Sequence, residues 1–79
     1  MKLKEYTGEE VRALLLKLRL NQSEFWAPFQ VTQSGGSRYE AGRDIPGSVQ
    51  FLLNLAFGTD KKAGALVEEL RKLAKSGLK

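Results

Sequence analysis

Asn21-Gln22 and Thr32-Gln33 each pair a helix-capping residue with glutamine, and they stand so close that only a short helix and a tight turn fit between them. A side-chain oxygen of asparagine or threonine accepts from the free N–H groups that open a helix, so each dipeptide marks a helix start. The first helix is expected from Gln22 to about Phe29, with Phe25 and Phe29 four residues apart on one buried face. Gln30-Val31 is left for the turn. The second is expected from Thr32 through about Glu40, stopped near Gly42. Two such short helices cannot bury their own apolar sides, so the rest of the chain must supply the core beneath them.

That core is visible in the flanking segments. Thr7-Gly8-Glu9-Glu10 has capping-box spacing, and Val11, Leu14, Leu15 and Leu18 then recur as the buried stripe of a leading helix. Arg12, Lys17 and Arg19 fall on its wetter side. After a loop from Arg43 to Pro46, Pro46-Gly47-Ser48 opens a fourth helix carrying Val49, Leu52, Leu53 and Ala56, which Gly58 ends. Thr59 or Asp60 caps a fifth helix over about 60–75, with Ala63, Leu66, Val67, Leu70 and Leu73 as its stripe. No segment alternates with period two for long enough to make a strand. With 79 residues and no repeat, low-complexity tract or linker, the expectation is one all-α domain of five helices over 1–79.

The composition removes most chemistry. A hydrophobic content of 42% suits a globular chain, and the apolar runs are too short to span a membrane. The chain has neither cysteine nor histidine, so disulfides, thiolate metal sites and the commonest general base are excluded. No metal or cofactor is implied. Met1 to Glu5 lacks the apolar core of a signal peptide, which leaves cytoplasmic residence as the default. An enzyme is not expected: the acid pairs Glu9/Glu10 and Glu68/Glu69 sit on exposed helix faces, and Gly35-Gly36 lacks phosphate-loop spacing. The formal net charge is +4. Between Lys17 and Arg43, the bases Lys17, Arg19, Arg38 and Arg43 outnumber the acids Glu24 and Glu40, so the middle of the chain suits phosphates best. A glutamine opening a helix in the major groove can hydrogen-bond adenine through both amide atoms, and short residues at 33–37 let the backbone approach.

In order, Leu20-Asn21-Gln22, Phe25, Phe29, Val31-Thr32, Ser37-Arg38-Tyr39-Glu40, Gly42 and Pro46 resemble the helix-turn-helix of the Cro/repressor (XRE) family. The resemblance extends from the leading helix through the apolar helix after Pro46. It implies a five-helix, lambda-repressor-like DNA-binding bundle and a bacterial or phage-type regulator, typically a repressor. Such a protein works on double-stranded DNA as a homodimer, associated with the nucleoid. Of the helix-turn-helix at about 22–41, the helix at about 32–41 would lie in the major groove. Gln22 would then hold a phosphate and brace Gln33, while Gln33 reads a base, with adenine its natural complement. Ser34 and Arg38 would touch bases or the neighbouring backbone. Asn21 and Arg43 would clamp phosphate, and Thr32, Gly35 and Ser37 would complete the surface. Some members are antitoxins that also hold a toxin, and others use the fold for protein contacts through the C-terminal helices. The short, charged tail after Leu73 favours the regulator.

The departures from the family pattern form a set. Trp26 stands where the family has alanine, and Gly36 where it has a large aliphatic residue, so the indole is expected to fill the space that Gly36 leaves. Gln30 replaces the turn glycine and must accept either a positive φ or another turn. Pro28 removes a backbone donor late in the first of the two helices and presses on the Glu24 carbonyl. Glu40, which commonly pairs with an arginine of the leading helix, finds Leu15 at that position, leaving Arg12 or Arg19 as substitutes. Trp26 as a stacking platform for single-stranded nucleic acid is the rival to its burial.

Overall fold

The first three helices open on the caps that their sequences predict. Thr7 Oγ1 accepts from the Glu10 N–H (3.2 Å) while Glu10 Oε1 accepts from the Thr7 N–H (3.0 Å), which starts α1 (Gly8–Leu18). Asn21 Oδ1 accepts from the Glu24 N–H (2.8 Å) and Glu24 Oε1 from the Asn21 N–H (3.0 Å), a second capping box, at the head of α2 (Gln22–Trp26). Thr32 Oγ1 accepts from the Gly35 N–H (3.0 Å) at the head of α3 (Gln33–Glu40). Two longer helices follow, α4 (Gly47–Phe57) and α5 (Asp60–Lys75). Thr59, not Asp60, caps α5, its Oγ1 accepting from the Lys62 N–H at 3.2 Å. This computed structural model describes residues 3–75, an all-α bundle of these five helices with no strand among the described residues. The end of the charged tail, residues 76–79, lies outside them.

The helix expected from Gln22 to Phe29 divides in two. Pro28 has no N–H to give Glu24, so α2 stops at Trp26 and Ala27–Phe29 tightens into a 3₁₀ turn. Gln30 then takes the left-handed conformation (φ 60°, ψ 33°), which turns the chain towards α3. Its N–H donates to the Ala27 carbonyl at 3.0 Å. Arg19 is left-handed too (φ 58°) and ends α1, its N–H donating to the Leu16 carbonyl and that of Leu20 to the Leu15 carbonyl.

The core gathers Tyr6, Val11, Leu15, Phe25, Trp26, Val49 and Leu53, with Leu14, Phe29, Val31, Tyr39, Ile45 and Phe57 packed against it. Aromatic rings form its centre. Phe25 stacks on Phe29 (5.4 Å) and Phe57 (5.9 Å), and Trp26 meets Tyr39 edge-on at 5.6 Å. Burial thus settles Trp26 as core, not a stacking platform, since none of it reaches solvent.

Three expected stripes need correction. Leu18, the last residue of α1, is exposed, and the left-handed Arg19 turns the chain directly after it. On α4 the buried side is Val49, Gln50, Leu53 and Asn54, whereas Leu52 and Ala56 face solvent. The reason is the extended segment before α1, which lies along α4. Gln50 Oε1 accepts from the Tyr6 N–H and its Nε2 donates to the Tyr6 carbonyl, both at 2.8 Å. Asn54 repeats the pattern on Lys4, at 3.0 and 2.9 Å. Two side-chain amides therefore act as the facing strand of a ladder. On α5 only Leu66 is buried, while Val67, Leu70 and Leu73 stay 42%, 51% and 57% exposed. No helix among the described residues is long and apolar enough to cross a membrane.

Candidate nucleic-acid interface

The tight contact between Trp26 and Gly36 seats α3 on α2. Gly36 is buried, and a Cβ placed on it would overlap the five-membered ring of the indole. The expected exchange of large for small is therefore present: the ring occupies the volume that a side chain at 36 would fill. With Gly36, Tyr39 and Glu40 turned inward, helical spacing turns Gln33, Ser34, Ser37 and Arg38 outward, and all four are exposed.

Glu40 is held differently from expectation. Neither Arg12 nor Arg19 forms an ion pair with it among the described residues. Instead Trp26 Nε1 donates to Glu40 Oε2 at 2.9 Å, and Gln22 Nε2 donates to Glu40 Oε1 at 3.4 Å. Trp26 thus supplies both the bulk and the donor that the departures from the family pattern leave missing. The sequence carried a signal for this, a donor-bearing aromatic in α2 beside an acid lacking its usual arginine. Gln22 goes on to accept, through Oε1, from Gln33 Nε2 at 2.8 Å.

Both acids of the segment accept hydrogen bonds, Glu24 from the Asn21 N–H in the exposed α2 cap and Glu40 from Trp26 beneath α3. Arg38 and Arg43 are exposed, and neither is in an ion pair among the described residues. Gly42 at φ 116° turns the chain past α3, and the Arg43 N–H donates to the Arg38 carbonyl at 3.0 Å. Arg43 is therefore fixed just beyond the end of α3. At the other end, the N–H groups of Gln33 and Ser34 precede the first bond internal to the helix turn, Gly36 N–H to Thr32 carbonyl at 2.9 Å. They remain open to an anion.

Of the remaining sequence-predicted residues, Asn21 and Thr32 are exposed, and each uses its side-chain oxygen as a cap acceptor. The Asn21 Nδ2 and the Thr32 hydroxyl proton are still able to donate outward. Gly35 is half-buried, near the Thr32 and Val31 side chains, and provides no outward side chain. The structure thus brings Gln22, Gln33, Ser34, Ser37 and Arg38 to one surface formed by α2 and α3, with Asn21, Thr32 and Arg43 at its margins.

A short helix, a left-handed turn residue and a second helix braced on the first at a glycine make a helix-turn-helix, the architecture of a DNA-binding protein. The family model for the RsaL-like HTH domain matches residues 11–56, more than half of the chain and all of α2 to α3, and the chain belongs to this family. No curated protein and no solved structure matches it. The extended segment before α1 and the whole of α5 lie outside the matched residues.

Proposed function

We propose that the protein is a sequence-specific transcriptional regulator of the Cro/repressor type, acting as a repressor, which places α3 in the major groove of duplex DNA. The observation that carries this reading is the outer face of α3: Gln33, Ser34, Ser37 and Arg38 are exposed and polar, and no acid faces outward among them. Gln33 reads a base edge, adenine by preference, while Gln22, Asn21 and Arg43 position the helix on phosphates. Enrichment from a randomised duplex pool tests it. One enriched sequence is the expected result. Gln33→Ala should then cost about 1–3 kcal/mol on that sequence and little on a scrambled one, while Gln22→Ala, which also removes a phosphate contact, weakens binding to both. A folded chain that enriches nothing overturns the reading.

One recognition helix reads few base pairs, and a homodimer on half-sites about 34 Å apart is the common remedy. The exposed apolar residues of α5, with Leu52 on α4, support a second copy at this surface. Leu70→Glu should leave the fold intact and yield a monomer in sedimentation, with loss of tight operator binding. A second reading, that this face of α5 holds a toxin or another protein, rests on the same exposure. A native chain that sediments as a monomer both free and on its operator would favour it over the dimer.

A further inference from the structure

We infer that Glu40 is a positioning residue that sets which amide atom Gln33 offers to a base. The inference rests on the proposed role of α3 as the reading helix. An ionised carboxylate only accepts hydrogen bonds and an indole N–H only donates. Trp26 Nε1 occupies one Glu40 oxygen, and the other accepts from Gln22 Nε2. Since Glu40 cannot donate, Gln22 must turn its NH₂ group inward and its carbonyl oxygen outward. That oxygen accepts from Gln33 Nε2, so Gln33 in turn must use one N–H on Gln22. Gln33 is left with its Oε1 and a single N–H. Those two atoms complement the N6 donor and N7 acceptor of adenine. The orientation of an exposed side chain is thereby fixed from a carboxylate that touches no DNA, through a chain of bonds that begins at a fully buried tryptophan.

Replacing Glu40 by an amide reverses the whole chain. The Trp26 N–H claims the single oxygen of the new side chain, whose NH₂ group then faces Gln22. Gln22 must present its oxygen inward and its NH₂ group to Gln33, which rotates to accept with Oε1. Gln33 now turns an NH₂ group outward, matching the N7 and O6 acceptors of guanine.

The experiment measures Kd for duplexes that differ only at the base pair where Gln33→Ala alters preference. The native chain is expected to favour adenine over guanine there by on the order of five- to a hundredfold, the range for a good bidentate contact. Glu40→Gln is expected to shift that ratio towards guanine by at least about fivefold, with its melting curve still cooperative. In a Gln22→Ala background the same substitution should leave the ratio unchanged, because the connection is cut. An unchanged ratio for Glu40→Gln, or an equal shift without Gln22, overturns the inference. Should Glu40→Gln not fold, NMR of the native chain decides: the Gln22 Nε2 protons are expected close to the Glu40 γ protons, and contacts to Gln33 instead overturn it. A Gln33→Ala chain that binds with every base preference unaltered removes the reading-helix assignment itself, a result distinct from any failure of Glu40.

Discussion

Trp26 shows how much one residue can decide. Its ring replaces the side chain that Gly36 lacks, and its N–H replaces the arginine that Leu15 displaces. Trp26→Ala should cost about 3–5 kcal/mol, as for other buried large aromatics. Gly36→Ala should cost about 1–3 kcal/mol despite the better helix propensity of alanine, because the rigid ring cannot yield. Combined with Trp26→Ala, Gly36→Ile should recover part of the loss but not all, since Glu40 keeps only Gln22 as a partner. Denaturant melts check this, and strictly additive losses would show that the two residues do not meet. Glu10 offers a smaller, titratable case. The hydrogen bond from Lys4 Nζ (2.9 Å), then that from the Thr7 N–H, hold its carboxyl below the ordinary value. A folded-state pKa lower than the unfolded one, about 4.3, contributes stability above that pH which is lost as pH falls through the lowered value. Melting temperatures of the native chain and Glu10→Gln should therefore separate above about pH 4 and converge in stronger acid. A constant gap across that window would refute the assignment.

At the scale of elements, what the sequence made legible was local and what it concealed was long-range. Thr7, Asn21 and Thr32 act on donors three residues away, so the starts of α1, α2 and α3 follow from spacing alone. Pro28 marks the weak point at which α2, expected to reach Phe29, stops at Trp26, whereas the sequence leaves Gln30 between a positive φ and another turn, and the structure takes the first. The buried side of α4 was not legible, because it depends on a partner more than forty residues earlier in the chain (Lys4 and Tyr6 against Asn54 and Gln50). Amphipathic counting treats glutamine and asparagine as outward-facing, yet here each fills both hydrogen-bonding groups of a backbone residue. Gln50→Leu leaves the N–H and carbonyl of Tyr6 without partners and should cost about 2–6 kcal/mol, as each buried orphan costs roughly 1–3. Hydrogen exchange at the Tyr6 amide should accelerate at the same time, and protection equal to that of the native chain would contradict the ladder. The Trp26–Glu40 bond was hidden for a related reason. The family pattern suggested an arginine partner, and only the packing of α3 against α2 brings the indole N–H to the acid.

For the molecule as a whole, the division of charge matters more than its sum. A net charge of +4 is unremarkable in a small protein, but among the described residues Arg38 and Arg43 are exposed and in no ion pair, while Glu40 is turned inward to Trp26. Each arginine that neutralises a phosphate releases counterions, so Arg38→Ala and Arg43→Ala should each lower the slope of log K against log salt by about one. Slopes equal to the native value would place both arginines away from the duplex. That α5 buries only Leu66 was not legible either, because its stripe reads the same whether it faces the core or solvent. The buried ring beneath α3 has one more consequence. The chain contains a single tryptophan, so emission excited beyond the tyrosine absorption band comes from one indole, and that indole is bonded through Glu40 and Gln22 to the side chain proposed to meet a base. The protein therefore carries its own optical gauge: unfolding should redden the signal as water reaches the indole, and a shift of emission on adding duplex DNA would report through the same chromophore without a dye being attached.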